Sequence, residues 1–160
     1  MSQIVLADYS NPSHQSAILN LLDAYAWDPM GGGKGLSQEV KAALLPLLAA
    51  EPGAFSVLAF VEDQAAGLVN CFQALSTFRA KPLINIHDVT VLAPYRGRGL
   101  STAMLEKVEA VARERGCCKL TLEVLEGNRI ARRAYEKFGF SGYELDPELG
   151  QALFWEKKLT

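Results

Sequence analysis

The fold of this 160-residue chain is decided by the stretch Leu92-Ala93-Pro94-Tyr95-Arg96-Gly97-Arg98-Gly99-Leu100-Ser101-Thr102. The apolar residues 83–91 before it predict a β-strand. The residues after it, from about 99 to 115, predict an amphipathic helix that ends at Gly116. A strand, a glycine loop and a helix therefore follow one another directly, and this arrangement is typical of anion-binding sites.

The glycine loop suits a pyrophosphate group. The first-turn N–H groups of a helix lack intrahelical partners and lie at the positive end of the helix dipole. Gly97 and Gly99 let such donors approach an anion without obstruction by a Cβ atom, and the two arginines add charge-assisted hydrogen bonds. A tight turn with solvated arginines is the alternative interpretation. The predicted anion site consists of Arg96, Gly97, Arg98, Gly99, Leu100, Ser101 and Thr102.

The N-terminal third predicts a short strand and two helices around a glycine-rich loop. Residues 4–7 indicate the strand, and Asn11 caps a first helix over residues 11–27. The loop at 28–35 contains four glycines and a proline, which favour neither helix nor strand. Ser37 then caps the second helix.

The rest of the chain predicts further strands and one more helix. The strands are expected at residues 54–61, 65–78, 83–91 and 119–125, with two closing strands around Tyr143 and over 152–159. The additional helix is expected at residues 128–138. No repeat or linker is visible, so residues 1–160 are predicted to form a single mixed α/β domain.

Composition narrows the classes of function. The chain is 49% hydrophobic and 21% charged, which suits a globular domain with a substantial core. Its net charge of -2 offers no basic face for nucleic acid. No apolar run approaches the roughly 20 residues that span a bilayer, and the N-terminus does not resemble a secretory signal. We therefore expect a cytoplasmic protein that binds neither nucleic acid nor membranes.

The cysteines and histidines do not predict a disulfide or a metal site. Cys71, Cys117 and Cys118 are odd in number and lack CxxC spacing, so we expect reduced core thiols. His14 and His87 are the only histidines and belong to no Cys/His cluster. Metal dependence is therefore not expected.

A second motif lies in Asn128-Arg129-Ile130-Ala131-Arg132-Arg133-Ala134-Tyr135-Glu136-Lys137-Phe138-Gly139-Phe140, which matches the pattern NxxAxxxYxxxGF in full. Arg96 and Gly99 match the pattern RxxGxG/A, with Ser101 at its last position. Together the two motifs resemble the GNAT family of N-acetyltransferases, and the resemblance covers roughly residues 54–159. It implies the acyl-CoA N-acyltransferase fold, with a central mixed sheet of six to seven strands flanked by about four helices.

This resemblance also implies a reaction, the transfer of an acetyl group from acetyl-CoA to a primary amine without a metal. By resemblance, Val89, Thr90 and Val91 bind the pantetheine arm through their backbone, as an added strand would, and Asn128 is a further cofactor-binding residue. Tyr135 matches the family's tyrosine and is the expected general acid for the departing thiolate. A packed core tyrosine is the alternative.

Two residues compete for the role of general base. An alkyl amine with a pKa of about 10.4 is only about one part in 10³ neutral at pH 7, so deprotonation must be assisted. Glu123 lies in the predicted strand 119–125, where a carboxylate is costly unless it is paired or functional, and this stretch resembles acetyltransferases of ribosomal protein N-termini, which use a glutamate there. His87 titrates near neutral pH and is able to act through a water molecule. An ion-paired Glu123 and a satisfied core His87 are the structural alternatives.

The acceptor is expected to be a small amine, either a polyamine or an amino-acid-like molecule, that enters beside loop 27–36. The glycines of this loop allow it to close as a lid, and Asp23, Asp28 and Glu51 are placed to attract a cation. The segment Ser76-Thr77-Phe78 resembles the diamine acetyltransferases. A protein N-terminus or a lysine side chain is the second candidate for the acceptor. A second copy of the chain, in a homodimer, is a further candidate partner.

Two other classes of protein remain as alternatives. A dinucleotide-binding oxidoreductase would use Gly97 and Gly99, but its fingerprint requires a third glycine where Thr102 stands. A non-catalytic acyl-CoA-binding module would use the same loop, since every predicted catalytic residue also has a structural interpretation. Release of CoA in the presence of amines distinguishes an enzyme from such a module.

Overall fold

The computed structural model describes residues 1–160, which divide into two compact units, Met1–Leu122 and Glu123–Thr160. The first unit contains β1 (Ser2–Leu6), α1 (Pro12–Trp27), α2 (Gln38–Ala50), β2 (Phe55–Val61), β3 (Gln64–Ser76), β4 (Lys81–Val91), α3 (Leu100–Glu114) and β5 (Leu120–Leu122). The second unit contains α4 (Arg129–Phe138). Short 3-10 turns lie at Pro29–Gly31, Ala93–Tyr95 and Pro147–Leu149. That the whole chain is one domain stays a prediction.

The five strands form one mixed sheet in the order β1-β2-β3-β4-β5. Strands β1 to β4 pair antiparallel, whereas β5 runs parallel to β4. The β2-β3 hairpin turns at Glu62 and Asp63, whose φ angles of 49° and 64° are the left-handed values that a tight two-residue hairpin turn requires. The parallel β4-β5 pair needs a crossover, and α3 supplies it.

The hydrophobic core lies between the sheet and the helices of the first unit. Ile18 and Leu21 of α1 form a buried cluster with Leu48 of α2 and with Leu58 and Leu68 of the sheet. Burying a leucine or isoleucine side chain contributes about 1.5–3 kcal/mol to stability, so this cluster holds α1 and α2 in place.

Helix α3 packs closely on the sheet at Gly67. Met104, Leu105 and Val108 of α3 are buried. A Cβ atom at Gly67 would lie 2.8 Å from the Cε atom of Met104, so a larger residue there would require the Met104 side chain to move. This contact packs the second turn of α3 against β3, the strand that neighbours β4.

The predicted helices are confirmed, together with their caps. Asn11 accepts hydrogen bonds from the N–H groups of Ser13 and His14 at the start of α1. Ser37 accepts from Val40 N–H at the start of α2, and Pro46 stays inside that helix. These caps explain why the sequence signals were reliable, because an N-cap is a local interaction.

The predicted six to seven strands are too many, because the structure contains five. The segment around Tyr143 and the segment 152–159 form no strands, and a single isolated bridge joins Glu144 to Gln151. Residues 152–155 are consecutive apolar residues, a pattern that suits a strand buried on both faces, but in the structure they pair with no strand. The side chains of Phe154 and Trp155 are 78% and 83% exposed.

Two further expectations need correction. The strand predicted at 119–125 spans only Leu120–Leu122, so Glu123 lies beyond its end and is exposed. The argument from a carboxylate inside an apolar strand therefore does not hold for Glu123.

Of the three free cysteines, only Cys71 is a core thiol, whereas Cys117 and Cys118 are half-buried. No helix of the structure is long and apolar enough to cross a bilayer.

Candidate functional site

The glycine loop joins the 3-10 turn Ala93–Tyr95 to α3. Gly97 and Gly99 have φ angles of 77° and 76°, and Gly99 is the N-cap of α3 without a side-chain hydrogen bond to the first turn. A Cβ atom at either glycine would meet nothing within 4 Å, so the backbone conformation rather than crowding requires glycine. The loop thus leaves the N-terminus of α3 open in front of it, as an anion site needs.

The two arginines of the loop are exposed but held. Arg96 Nε donates to the carbonyl oxygen of Val91 at 2.9 Å, and Arg96 Nη2 lies 3.5 Å from an oxygen of Asp28. Arg98 Nη2 donates to the carbonyl of Pro94 at 3.3 Å, and its guanidinium lies 5.5 Å from the centre of the Tyr95 ring. These contacts therefore hold both guanidinium groups beside the open N-terminus of α3.

The remaining residues of the predicted anion site lie in the first turn of α3. Leu100 is buried and anchors the helix to the core, with 4% of its surface exposed. Ser101 is half-buried and Thr102 is exposed. This turn therefore combines one packing residue with two polar residues that remain accessible.

The end of β4 continues past its parallel partner. The last registered pair between the two strands is Ile86 with Leu122, and β4 runs on to Val91. On its other side, Val89, Thr90 and Val91 pair with β3. Their backbone groups on the β5 side have no registered partner in β5, which is the condition for receiving an extended ligand as an added strand.

A β-bulge lies in β4 just before this segment. Asp88 pairs with Asn70 and Ile86 with Cys71, so His87 is the extra residue. A bulge bends a strand and redirects its side chains. The His87 ring contacts the Phe72 ring edge to face, with 5.5 Å between centroids. The bulge thus brings His87 and Asp88 to the same cavity.

This cavity has a volume of about 350 Å³ and lies between β3-β4 and the two N-terminal helices. Its apolar lining comes mainly from four leucines and two aromatic residues, which are Leu22, Leu36, Leu44, Leu48, Tyr25 and Phe72. Its polar side chains are those of Asn70, His87 and Asp88. Burial is the largest cause of the raised pKa of Tyr25, and the negative charges of Asp88 and Asp28 raise this pKa further. An apolar cavity with a few polar groups is typical of a small-molecule site.

The loop that follows α1 closes one side of the cavity. Asp28 caps its 3-10 turn by accepting from Met30 N–H at 2.9 Å, and Gly31 lines the cavity. Asp23 accepts from Leu36 N–H at 2.8 Å and pairs with Lys41 at 3.3 Å. Asp23 and Asp28 therefore hold the loop, and neither lines the cavity.

The second unit carries the other predicted residues. Asn128 caps α4, where its side chain accepts from Ala131 N–H at 3.2 Å, and Gly139 ends the helix with a φ angle of 117°. Tyr135 is half-buried on this helix, with its ring 6.0 Å from that of Phe140. The second motif thus forms one capped helix with Tyr135 at its centre, and Glu123 precedes it.

Part of the polar wall of the cavity was not predicted. His87 was singled out from the sequence, but Asn70 and its hydrogen-bond partner Ser56 were given no role. None of the carboxylates predicted to attract the acceptor, Asp23, Asp28 and Glu51, lines the cavity. The available signal was the presence of Ser56 and Asn70 inside apolar strands, since buried polar side chains require partners.

The sequence model of the acetyltransferase (GNAT) family matches residues 20–140. The chain belongs to this GNAT family. The match covers the glycine loop, both motifs and the cavity-lining strands β3 and β4. It also extends into α1, beyond the part of the chain in which the motifs lie.

Several curated GNAT acetyltransferases are similar in sequence over part of their length. The streptothricin acetyltransferase of Streptomyces lavendulae is 35% identical over 92 residues, which are 58% of this chain and 49% of that protein. The thialysine N-epsilon-acetyltransferase of Bos taurus is 38% identical over 56 residues, which are 35% of this chain and 33% of that protein. The N-alpha-acetyltransferase MAK3 of Arabidopsis thaliana is 32% identical, over 52% of this chain and 43% of that protein. The chain thus spans half or less of the length of these relatives.

Solved structures agree with the fold over nearly the whole chain. An aminoglycoside acetyltransferase from an uncultured soil metagenomic sample, in complex with sisomicin, has a TM-score of 0.81 at 14% identity and covers 99% of this chain and 97% of its own. The acetyltransferase AAC(6')-Iy, in complex with a bisubstrate analogue, has a TM-score of 0.77 at 17% identity and covers 99% of both chains. These likenesses establish the GNAT fold.

Proposed function

We propose that the protein transfers an acetyl group from acetyl-CoA to an amino group of a small molecule. The observation that carries this proposal is the left-handed glycine cap of α3, open at the helix N-terminus and flanked by Arg96. Membership of the GNAT family and the adjacent cavity support it. The loop would hold the pyrophosphate, and the cavity would hold the acceptor.

The residues present fit the acyl donor. Arg96, Arg98 and the first-turn N–H groups of α3 supply positive charge and donors for the pyrophosphate. Val89 to Val91 supply backbone groups for the pantetheine amides on the side of β4 that β5 does not cover, where the Val91 carbonyl already accepts from Arg96 Nε. When bound, acetyl-CoA supplies the activated acyl group, and these residues hold and orient it.

The proposed reaction needs a general base and a general acid. We assign the general base to His87, because it lines the cavity and histidine is the side chain that most often serves as a general base. Glu123, which follows β5, is the rival base; both side chains are exposed, but only His87 is part of the cavity lining. Tyr135 would donate a proton to the departing thiolate, since a phenol holds its proton at neutral pH.

One observation favours a second class of acceptor, a protein N-terminus or a lysine. This observation is the similarity to an N-alpha-acetyltransferase over half of the chain. The loop at one side and the apolar walls of the cavity favour a small molecule instead. Comparing kcat/KM for diamines, amino acids and N-terminal peptides separates the two. If peptides are preferred by about tenfold or more, the small-molecule proposal fails.

The experiment that tests the proposed function measures CoA release from acetyl-CoA with a pool of amines, alongside thermal stability. Acetyl-CoA at about 100 times its Kd should stabilise the fold by about 2.7 kcal/mol. Arg96→Ala and Gly99→Glu should reduce this stabilisation, whereas Arg113→Ala, which removes an exposed arginine from the other end of α3, should not. Unchanged titrations in the first two variants would refute the pyrophosphate site, and binding without turnover would indicate a non-catalytic acyl-CoA-binding module.

A further inference from the structure

A chain of side-chain hydrogen bonds crosses the sheet and ends in the cavity. Tyr9 Oη lies 2.8 Å from Ser56 Oγ, Ser56 Oγ donates to Asn70 Oδ1 at 2.6 Å, and Asn70 Nδ2 donates to Asp88 Oδ2 at 3.0 Å. A serine hydroxyl has one proton, and Ser56 gives it to Asn70, so Tyr9 must be the donor to Ser56. Every donor therefore points toward the Asp88 carboxylate.

The middle of this chain is among the most buried parts of the protein. Ser56 is 0% exposed and Asn70 is 3% exposed, and they lie in strands whose neighbouring residues are apolar. Burial raises the pKa of Tyr9, which keeps its hydroxyl protonated and able to donate at neutral pH. Buried polar groups cost stability unless all are satisfied, and no buried side-chain nitrogen or oxygen lacks a partner here. Such a network fixes the orientation of the group at its end.

Asp88, at the end of this hydrogen-bonded chain, is the only carboxylate in the lining of the cavity. The other acids near the acceptor side, Asp23 and Asp28, are engaged with Lys41 and Arg96 and hold the loop. A cationic ligand in this cavity therefore meets one negative charge, that of Asp88, against walls that are mainly apolar.

A carboxylate beside an amine stabilises the ammonium form and so suppresses the neutral form that attacks a thioester. An amino group held by Asp88 is therefore a poor nucleophile. The reacting nitrogen must be a different one on the same molecule, placed where no carboxylate keeps it charged.

Resting on the proposed function, we propose that the acceptor is a small molecule with at least two amino groups, and that Asp88 anchors the non-reacting one as an ammonium ion. Tyr9, Ser56 and Asn70 are positioning residues that act through Asp88. The reacting nitrogen forms the amide bond and loses its proton to the base, and the thioester bond breaks. The ammonium at Asp88 stays unchanged throughout.

The test compares 1,5-diaminopentane with pentylamine, which has the same carbon chain and lacks the second amine. Because a hydrogen bond to a charged group changes affinity by about tenfold or more, wild-type kcat/KM should favour the diamine by about that factor. Asp88→Asn should abolish the preference, because KM should rise far more for the diamine than for pentylamine. Tyr9→Phe should raise KM for the diamine about threefold and leave kcat nearly unchanged.

The control is Asp23→Asn, which removes the same charge from α1 and keeps an oxygen for Leu36 N–H. It should retain the preference for the diamine, and an equal loss in this variant would overturn the assignment to Asp88. Melting temperature and acetyl-CoA affinity verify that each variant folds.

Failure of this inference is distinguishable from failure of the proposed function. Turnover of amines with no preference for the diamine, or a preference that survives Asp88→Asn, overturns the inference alone. If no amine is acetylated, the proposed function fails, and NMR titration with 1,5-diaminopentane decides the anchor separately. Binding by the wild type that is lost in Asp88→Asn supports the anchor, whereas equal binding, or no binding to the wild type, overturns it.

Discussion

Asp28 and Arg96, which are 68 positions apart in sequence, form an ion pair with 3.5 Å between Oδ2 and Nη2. Asp28 begins the loop at the cavity, where its other oxygen caps the Pro29–Gly31 turn. Arg96 begins the glycine loop in front of α3. The pair therefore connects the predicted acceptor loop directly to the predicted pyrophosphate site.

Asp28→Asn should strengthen acetyl-CoA binding. The asparagine keeps the oxygen that caps Met30 N–H but removes the charge that competes with phosphate for Arg96. An exposed ion pair contributes about 0–1 kcal/mol, so the Kd should fall by up to about fivefold, as measured by calorimetry. Weaker binding would mean instead that Asp28 positions Arg96 for the cofactor.

Gly31→Ala should destabilise the loop and weaken acceptor binding. A Cβ atom at this position would lie 1.9 Å from the carbonyl oxygen of Tyr25, so the backbone must move. Overpacking of this kind costs about 1–3 kcal/mol, and each kcal/mol lowers the melting temperature by about 2–4 °C. The acceptor KM should rise because Gly31 lines the cavity.

Gly127→Ala is the matched control for that change, since a Cβ atom there meets nothing within 4 Å. Its melting temperature should match that of the wild type. If Gly31→Ala also changes neither the melting temperature nor the acceptor KM, the loop does not form the wall of the acceptor site.

Tyr135→Phe should lower kcat and leave acetyl-CoA affinity nearly intact. The change removes only the hydroxyl, while the ring keeps its contact with Phe140 and α4 keeps its caps. Loss of a proton donor that acts late in the reaction reduces turnover by about 10²-fold or more. An equal loss of cofactor binding would make Tyr135 a structural residue.

Cys71 should resist maleimide in the native protein, whereas Cys117 and Cys118 should react. Cys71 is 1% exposed, and burial raises the pKa of its thiol, which leaves almost no reactive thiolate. Burial also raises the pKa of Cys117, so its labelling should be slower than that of an unperturbed thiol. Mass spectrometry of labelled peptides counts the modified sites, and fast native labelling of Cys71 would contradict the described core.

The sequence by itself determined the features that depend on neighbours along the chain. The caps at Asn11 and Ser37 and the glycine loop before α3 are local interactions, and they were predicted correctly. The family followed from two contiguous motifs. The short β5 and the absent closing strands were missed because a strand requires a partner that lies elsewhere in sequence.

Only the tertiary structure decided which polar residues meet. Tyr9, Ser56, Asn70 and Asp88 come from four separate segments, and the register of three strands brings them into one hydrogen-bonded chain. Sequence spacing carries no record of such a register, because a shift by one residue would turn every side chain to the opposite face. For the same reason, it was tertiary contact that assigned Asp28 to Arg96 and left Asp88 as the carboxylate in the cavity.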